Sequence, residues 1–169
     1  MLTLNQEKYL LTIPEDKVIE IKPFDPKVQD SAQSIIYKIK EALPEAEVLF
    51  MGASALGIAG QNDIDITVLA NGKLGEYSKS LENIFGQPIK SNSALQKWEF
   101  EKGGFEVELY LNDTISPILQ EHIDTFNLLQ NNKNLLAEYE QIKLVSDGLP
   151  FREYMKRKYE FFNRILGIK

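Results

Sequence analysis

The sequence predicts an α+β protein: a small mixed sheet with helices packed on one side and a C-terminal helical unit closing over the other. Three observations carry that expectation. Short apolar runs at Val48–Met51, Asp63–Leu69 and Phe105–Leu111 have the length, and the last two the alternation, of strands. Val28, Ala32, Ile35, Ile36, Ile39 and Leu43 recur at the three- and four-residue spacing of a helix with one buried face. From Ile118 to the end the pattern resolves into three helical runs.

Taken in order, Asn5–Leu11 predicts a short helix and Val18–Lys22 a strand. Asp25, a good cap, and Pro26, suited to a first turn, open the long helix, which Pro44 ends. Val48–Met51 reads as a buried strand. Gly52-Ala53-Ser54-Ala55-Leu56-Gly57 reads as a tight turn opening into a short helix, and Asp63–Leu69 as the next strand. Lys73–Phe85 is amphipathic. Gln96–Phe100 and Phe105–Leu111, joined through Gly103-Gly104, predict a hairpin. The helical runs that follow are separated by Asn131-Asn132-Lys133-Asn134 and by Asp147-Gly148-Leu149-Pro150. The expected organisation is one domain over residues 1–169, with an N-terminal extension at 1–17 and the C-terminal helices from about 116.

The chemistry concentrates in Asn62-Asp63-Ile64-Asp65-Ile66. Side chains alternate on a strand, so Asp63 and Asp65 share one face while Ile64 and Ile66 pack into the core. Same-face positions lie roughly 6.5–7 Å apart, a spacing that lets both carboxylates reach hard cations held roughly 3.5–4 Å from each other. The glycine turn upstream presents backbone N–H groups of the kind that attract phosphate. Taken singly, each acid has a bland reading, with Asp63 a turn residue and Glu106 and Glu108 a solvated strand face.

Strand, glycine turn, short helix and a D-x-D strand together resemble the signature of the polymerase-beta-like nucleotidyltransferase superfamily. That resemblance implies a sheet of the nucleotidyltransferase type and a glycine turn, here Gly52, Ala53 and Ser54, that cradles a triphosphate. It also implies Mg²⁺, or Mn²⁺ in its place, on Asp63 and Asp65, and a third carboxylate on a neighbouring strand. Phe105-Glu106-Val107-Glu108-Leu109 offers Glu108 for that place, with Glu106 as the alternative. Within the superfamily the chain more closely resembles the GrpB (UPF0157-like) family, from about Val18 onward. The matching stretches are Val18–Pro26, Gly57–Gln61 and two Tyr-x-x-x-Lys segments, Tyr139–Lys143 and Tyr154–Lys158. Departures from that family are Ala53 in a serine position, a turn one residue shorter, Asp63 where many members carry an apolar residue, and Glu106 and Glu108 where histidines are common. Asn127 follows Phe126 where the family has arginine. Ser54 is left as the hydroxyl for phosphate.

Composition bounds the rest. With 169 residues and 43% hydrophobic content, the chain can bury one sizeable core. It has no cysteine, which excludes disulfides and thiolate metal sites. No run approaches the roughly 18 apolar residues that span a bilayer, and the N-terminus has no signal-peptide pattern, so a cytoplasmic protein without a membrane partner is expected. A net charge of −6 disfavours duplex nucleic acid.

The charge is uneven: between Lys143 and Lys169 seven Lys or Arg stand against three Asp or Glu. Most belong to solvated helix surface, but Lys158 falls within the apolar stripe of Phe151, Met155, Phe162 and Ile165, and Lys143 lies near the stripe of the preceding run. A buried lysine must snorkel or face an anion. Lys143, Arg152 and Lys158 are therefore the expected nucleotide-binding cations, and Tyr139 and Tyr154 read as core. His122, among Glu121 and Asp124, reads as surface.

The expected function is Mg²⁺-dependent transfer of a nucleoside monophosphate from NTP to an acceptor, a small molecule or a protein. Asp63, Asp65 and Glu108 are the catalytic residues, and Glu106 is also a possible metal ligand. The alternative is a non-catalytic nucleotide-binding or regulatory protein on the same fold, which the Ala53 turn favours. Three carboxylates so close repel by about 3 kcal/mol per pair at ~5 Å and an effective dielectric of ~20. Without a cation at least one of them should take up a proton.

Overall fold

The computed structural model describes residues 1–168. Its elements are α1 (Leu4–Thr12), α2 (Lys27–Ala42), β1 (Glu47–Met51), α3 (Gly52–Leu56), β2 (Ile64–Leu69), α4 (Leu74–Phe85), β3 (Lys90–Ser91), β4 (Leu95–Lys102), β5 (Phe105–Asn112), α5 (Pro117–Asn131), α6 (Lys133–Leu144) and α7 (Phe151–Leu166). The strands form one mixed sheet in the order β1-β2-β5-β4-β3. β2 and β5 run parallel in its middle, and the other pairs are antiparallel.

Period-two alternation divides the sheet into two chemically different faces. Ile64, Ile66, Val68, Val107, Leu109, Leu111 and Trp98 point to one side, where they pack on Val28, Ala32, Ile35 and Ile39 of α2 and on Tyr77 and Leu81 of α4. Burying each large aliphatic side chain there contributes about 1.5–3 kcal/mol. The residues between them, Asp65, Thr67, Glu108 and Tyr110, point to the opposite side, beneath α5 and α7. A one-residue slip would put the carboxylates into the core, so the apolar pattern itself fixes where the acids face.

An expected strand and an expected cap differ in the structure, and one short strand is additional. Val18–Lys22 is extended but joins no sheet. It makes isolated bridges, Val18 to Pro150 and Lys22 to Gly60. Its backbone binds the α6–α7 connection on one side, through Ile19 N–H to Leu149 O at 3.0 Å and Gly148 N–H to Ile19 O at 2.9 Å, and Gly60 on the other. The alternation of Ile19 and Ile21 reports burial on one side, and both are buried, but alternation does not say which backbone lies alongside. β3, with both residues exposed, carries no pattern from which to read it. Asp25 acts one position early: its Oδ1 accepts from Lys27 N–H at 3.0 Å, and Pro26 takes the cap position.

The C-terminal helices attach through aromatic and amide contacts. Tyr139 of α6 stacks on Phe161 of α7 with ring centroids 5.7 Å apart. Asn163 of α7 is buried, and its side chain exchanges hydrogen bonds with Gln6 of α1 at 2.8 and 2.9 Å.

Candidate active site

Parallel pairing sets Asp65 of β2 directly beside Glu108 of β5, and antiparallel pairing sets Met51, the last residue of β1, opposite Asp65. The chain must turn immediately after Met51, and Gly52 makes that turn with φ +84°. A Cβ at Gly52 would collide with Oδ2 of Asp65. Glycine is thus required twice, for the left-handed backbone and for the carboxylate lying against it. α3 then ends at Gly57, whose φ of +71° is the usual left-handed stop.

A cavity of about 450 Å³ opens over this point. Asp65, Thr67, Glu108 and Tyr110 form its polar floor. Leu119, His122, Phe126 and Leu129 of α5 form an apolar wall, and Lys158 and Phe162 of α7 close the far side. Asp63 precedes β2 and acts electrostatically on Asp65, Lys143 and Lys158. Burial, reinforced by Asp63 and Glu108, pushes the Asp65 carboxyl up to about 7. The repulsion expected from the sequence therefore falls on Asp65, where desolvation and the charges of Asp63 and Glu108 act in the same direction.

Lysines answer this charge from the helices. Lys143 is buried at 5% exposure and donates to the Tyr154 hydroxyl at 2.9 Å. Its ammonium also lies 5.0 Å from the Tyr139 ring centre, a cation–π distance. Burial, then repulsion from Lys158, pulls it down to about 7, with Asp63 and Asp65 acting against that drop. Lys158 is half-buried. Burial lowers it, but Tyr154, Asp65, Tyr159 and Asp63 outweigh burial and hold it above its ordinary value. The two Tyr-x-x-x-Lys segments thus interlock: the lysine of the first binds the tyrosine of the second.

Glu108 is differently placed. Lys97 of β4 donates to its Oε1 at 2.7 Å and the Tyr110 hydroxyl donates to its Oε2 at 2.7 Å. Burial raises Glu108, yet these two bonds more than offset it and leave the carboxyl below its usual value. Lys97 also meets Glu99 Oε1 at 2.6 Å. Burial acts against its charge, but the bonds to Glu108, Glu99 and Tyr110 prevail and hold it well above the ordinary lysine range.

The remaining expected residues lie elsewhere. Glu106 is exposed, opposite Glu101, and does not line the cavity. Arg152 faces the N-terminal segment, donating to Ile13 O at 2.7 Å and lying 3.8 Å from Glu15, and it lines a separate surface depression. Ser54 is buried at 1% exposure, with its hydroxyl unpaired among the described residues, behind Gly52 rather than on the cavity wall. Ala53 packs against Gly60, where a Cβ would stand 2.8 Å from its own. His122 is exposed, as expected, but it also borders the cavity, and desolvation there followed by the charge of Lys158 holds its imidazole below the usual pKa. Lys97 belongs to none of the motifs in the sequence. Counting back from the Gly103-Gly104 turn pairs Lys97 with Tyr110 and Glu99 with Glu108, a signal present in the sequence.

The donor set suits a divalent cation that arrives with phosphates. Magnesium is usually held by one or two carboxylates plus substrate oxygens rather than by an all-protein cage. Among the described residues no three carboxylate or imidazole side chains converge closely enough to hold an ion unaided. Asp65 makes no ion pair among them either, although it is half-buried and carries the repulsion of Asp63.

The sheet and helices match solved structures of the Cid1 poly(U) polymerase. The MgGTP-bound form aligns with a TM-score of 0.51 at 15% identity, covering 82% of this chain and 44% of that one. A second, described in connection with RNA terminal uridylyl transferase activity, gives 0.50 at 15% identity, covering 82% and 43%. The chain therefore spans less than half the length of that polymerase, and at this identity the likeness defines a nucleotidyltransferase-like fold alone. The GrpB protein family matches residues 18–167, and the chain belongs to that family. A UPF0157 protein of Vibrio cholerae is 26% identical over 138 residues, 77% of this chain and 71% of the relative.

Proposed function

We propose that the protein is a Mg²⁺-dependent nucleotidyltransferase that moves a nucleoside monophosphate from an NTP to an acceptor, with release of pyrophosphate. The observation that carries this reading is Asp65, half-buried without an ion pair among the described residues, against Gly52 and beside Glu108, in a cavity closed by Lys158. A buried carboxylate is costly unless a cation meets it, and a magnesium-bound triphosphate brings that cation together with anions for the lysines.

In this reading Asp63 and Asp65 hold the ion, which when bound draws charge from the phosphate oxygens. Lys158 meets those oxygens directly. Lys143, fixed by Tyr154, sets the potential behind them. Of the turn expected to cradle the triphosphate, the backbone at Gly52 lines it. The apolar wall of α5 accepts the flat face of a base or the acceptor. Glu108 is the base for the acceptor hydroxyl. To take that proton one of its oxygens must give up a hydrogen bond, and the neutral Tyr110 is a weaker donor than the ammonium of Lys97.

Among the described residues no helix is long and apolar enough to cross a membrane. With the absence of cysteine and the net charge of −6, this supports a cytoplasmic enzyme whose acceptor is a small molecule or protein rather than duplex nucleic acid. A second reading, nucleotide binding without turnover, is favoured by the Glu108 oxygens being already engaged. Pyrophosphate release from NTP in the presence of cell extract separates the two. Wild-type protein should release it and Asp65→Asn should lose at least a hundredfold in rate; binding without release by the wild type would select the second reading.

A further inference from the structure

We propose that the ammonium of Lys97 stands in for a second divalent cation, so that the site loads one metal ion per bound nucleotide. The inference rests on the nucleotide-and-magnesium reading above and specifies its stoichiometry. A second ion in such a site would bind the third carboxylate, and here that carboxylate is filled. Lys97 Nζ lies 2.7 Å from Glu108 Oε1 and 2.6 Å from Glu99 Oε1, and Tyr110 holds the other Glu108 oxygen at 2.7 Å.

The arrangement is built by the sheet. Lys97 lies opposite Tyr110, and Glu99 opposite Glu108, so the lysine reaches one glutamate on its own strand and another diagonally across the pair. The Lys97 side chain is only 17% exposed and its ammonium lies 5.2 Å from the Tyr110 ring centre, which limits the freedom of the charge to swing into solvent. A cation entering at Glu108 must break the bond to Lys97 and leave the ammonium against the incoming charge. Among the described residues Asp63 and Asp65 have no such occupant, and they suffice for one ion that shares phosphate ligands.

The test counts Mn²⁺ bound to the full chain by electron paramagnetic resonance, with a non-hydrolysable NTP analogue at saturation. Wild type should bind one Mn²⁺ per protein. Lys97→Met, which frees Glu108, should gain a second, and Lys97→Arg, which keeps the charge, should stay at one. Glu108→Gln should also keep one Mn²⁺ with its affinity changed less than threefold, a readout that does not depend on the Lys97 variants folding. Two ions in the wild type, no gain in a folded Lys97→Met, or a lost ion in Glu108→Gln would overturn the inference. Absence of any protein-bound Mn²⁺–nucleotide in the wild type would instead remove the functional reading beneath it.

Discussion

Asp65 concentrates the physical tension of the molecule. Its carboxyl is raised to about 7 by burial and by two neighbouring acids, against an ordinary value of 3.8. Between those values the folded protein keeps a proton that the unfolded chain has released. Stability therefore falls as pH rises from about 4 to 7, and the penalty is complete above that window. Asp65→Asn removes the charge while keeping the shape. It should be more stable than wild type at pH 8 by up to a few kcal/mol, with the gap closing below about pH 4. Urea denaturation at both pH values measures this, and a variant less stable than wild type at pH 8 would contradict it. Lys143 works in the opposite direction: its amine is lowered to about 7. The folded state resists its protonation, so that penalty is full below pH 7 and fades as pH rises toward the ordinary lysine value.

The elements that carry the site were the most legible in the sequence, and the reason is periodicity. Ile64, Ile66, Val107 and Leu109 must face the core, which leaves Asp65 and Glu108 one permitted direction. Residues whose surroundings depend on a distant partner were not readable in this way. Arg152 lies at the start of α7, and only the packing of the N-terminal segment decides that it turns to Ile13. Ser54 follows a phosphate-like turn, but the short α3 rotates its hydroxyl into the interior. His122 stays exposed on α5, as its polar neighbours suggest, but the cavity it borders exists only once α5 crosses the sheet face.

The glycine segment before β2 gives an element-scale prediction. Gly60 is hydrogen-bonded to Lys22 through both backbone groups, at 2.7 and 3.0 Å, and has room for no side chain, with Ala53 at 2.8 Å and Lys143 Nζ at 3.7 Å from a Cβ there. Gly60→Val should push this segment off α3 and destabilise the protein by roughly 1–3 kcal/mol. Nucleotide affinity should drop as well, since Lys143 and the turn at Gly52 are displaced together. Equilibrium denaturation and nucleotide titration of the variant check both effects; wild-type stability would show that the packing is slack.

At the scale of the whole molecule, one sheet serves two purposes because its faces are chemically opposite. One face is sealed by α2 and α4 and provides the core, and the other is left as an acidic floor under α5 and α7. The charge distribution follows the same division. The chain carries −6 overall, while the C-terminal helices bring Lys143 and Lys158 to bear on the acids. Such a pairing of unsatisfied carboxylates with facing ammonium groups suits a ligand that contains both signs, and a magnesium nucleotide is such a ligand.

In the proposed function Asp63 and Asp65 make nucleotide binding depend on the metal, a dependence read out by isothermal calorimetry of an NTP analogue with and without Mg²⁺. Mg²⁺ should tighten binding to the wild type at least tenfold, about 1.4 kcal/mol, and Asp63→Asn and Asp65→Asn should each abolish this gain. Equal affinity with and without Mg²⁺ in the wild type, or an undiminished gain in both variants, would contradict it.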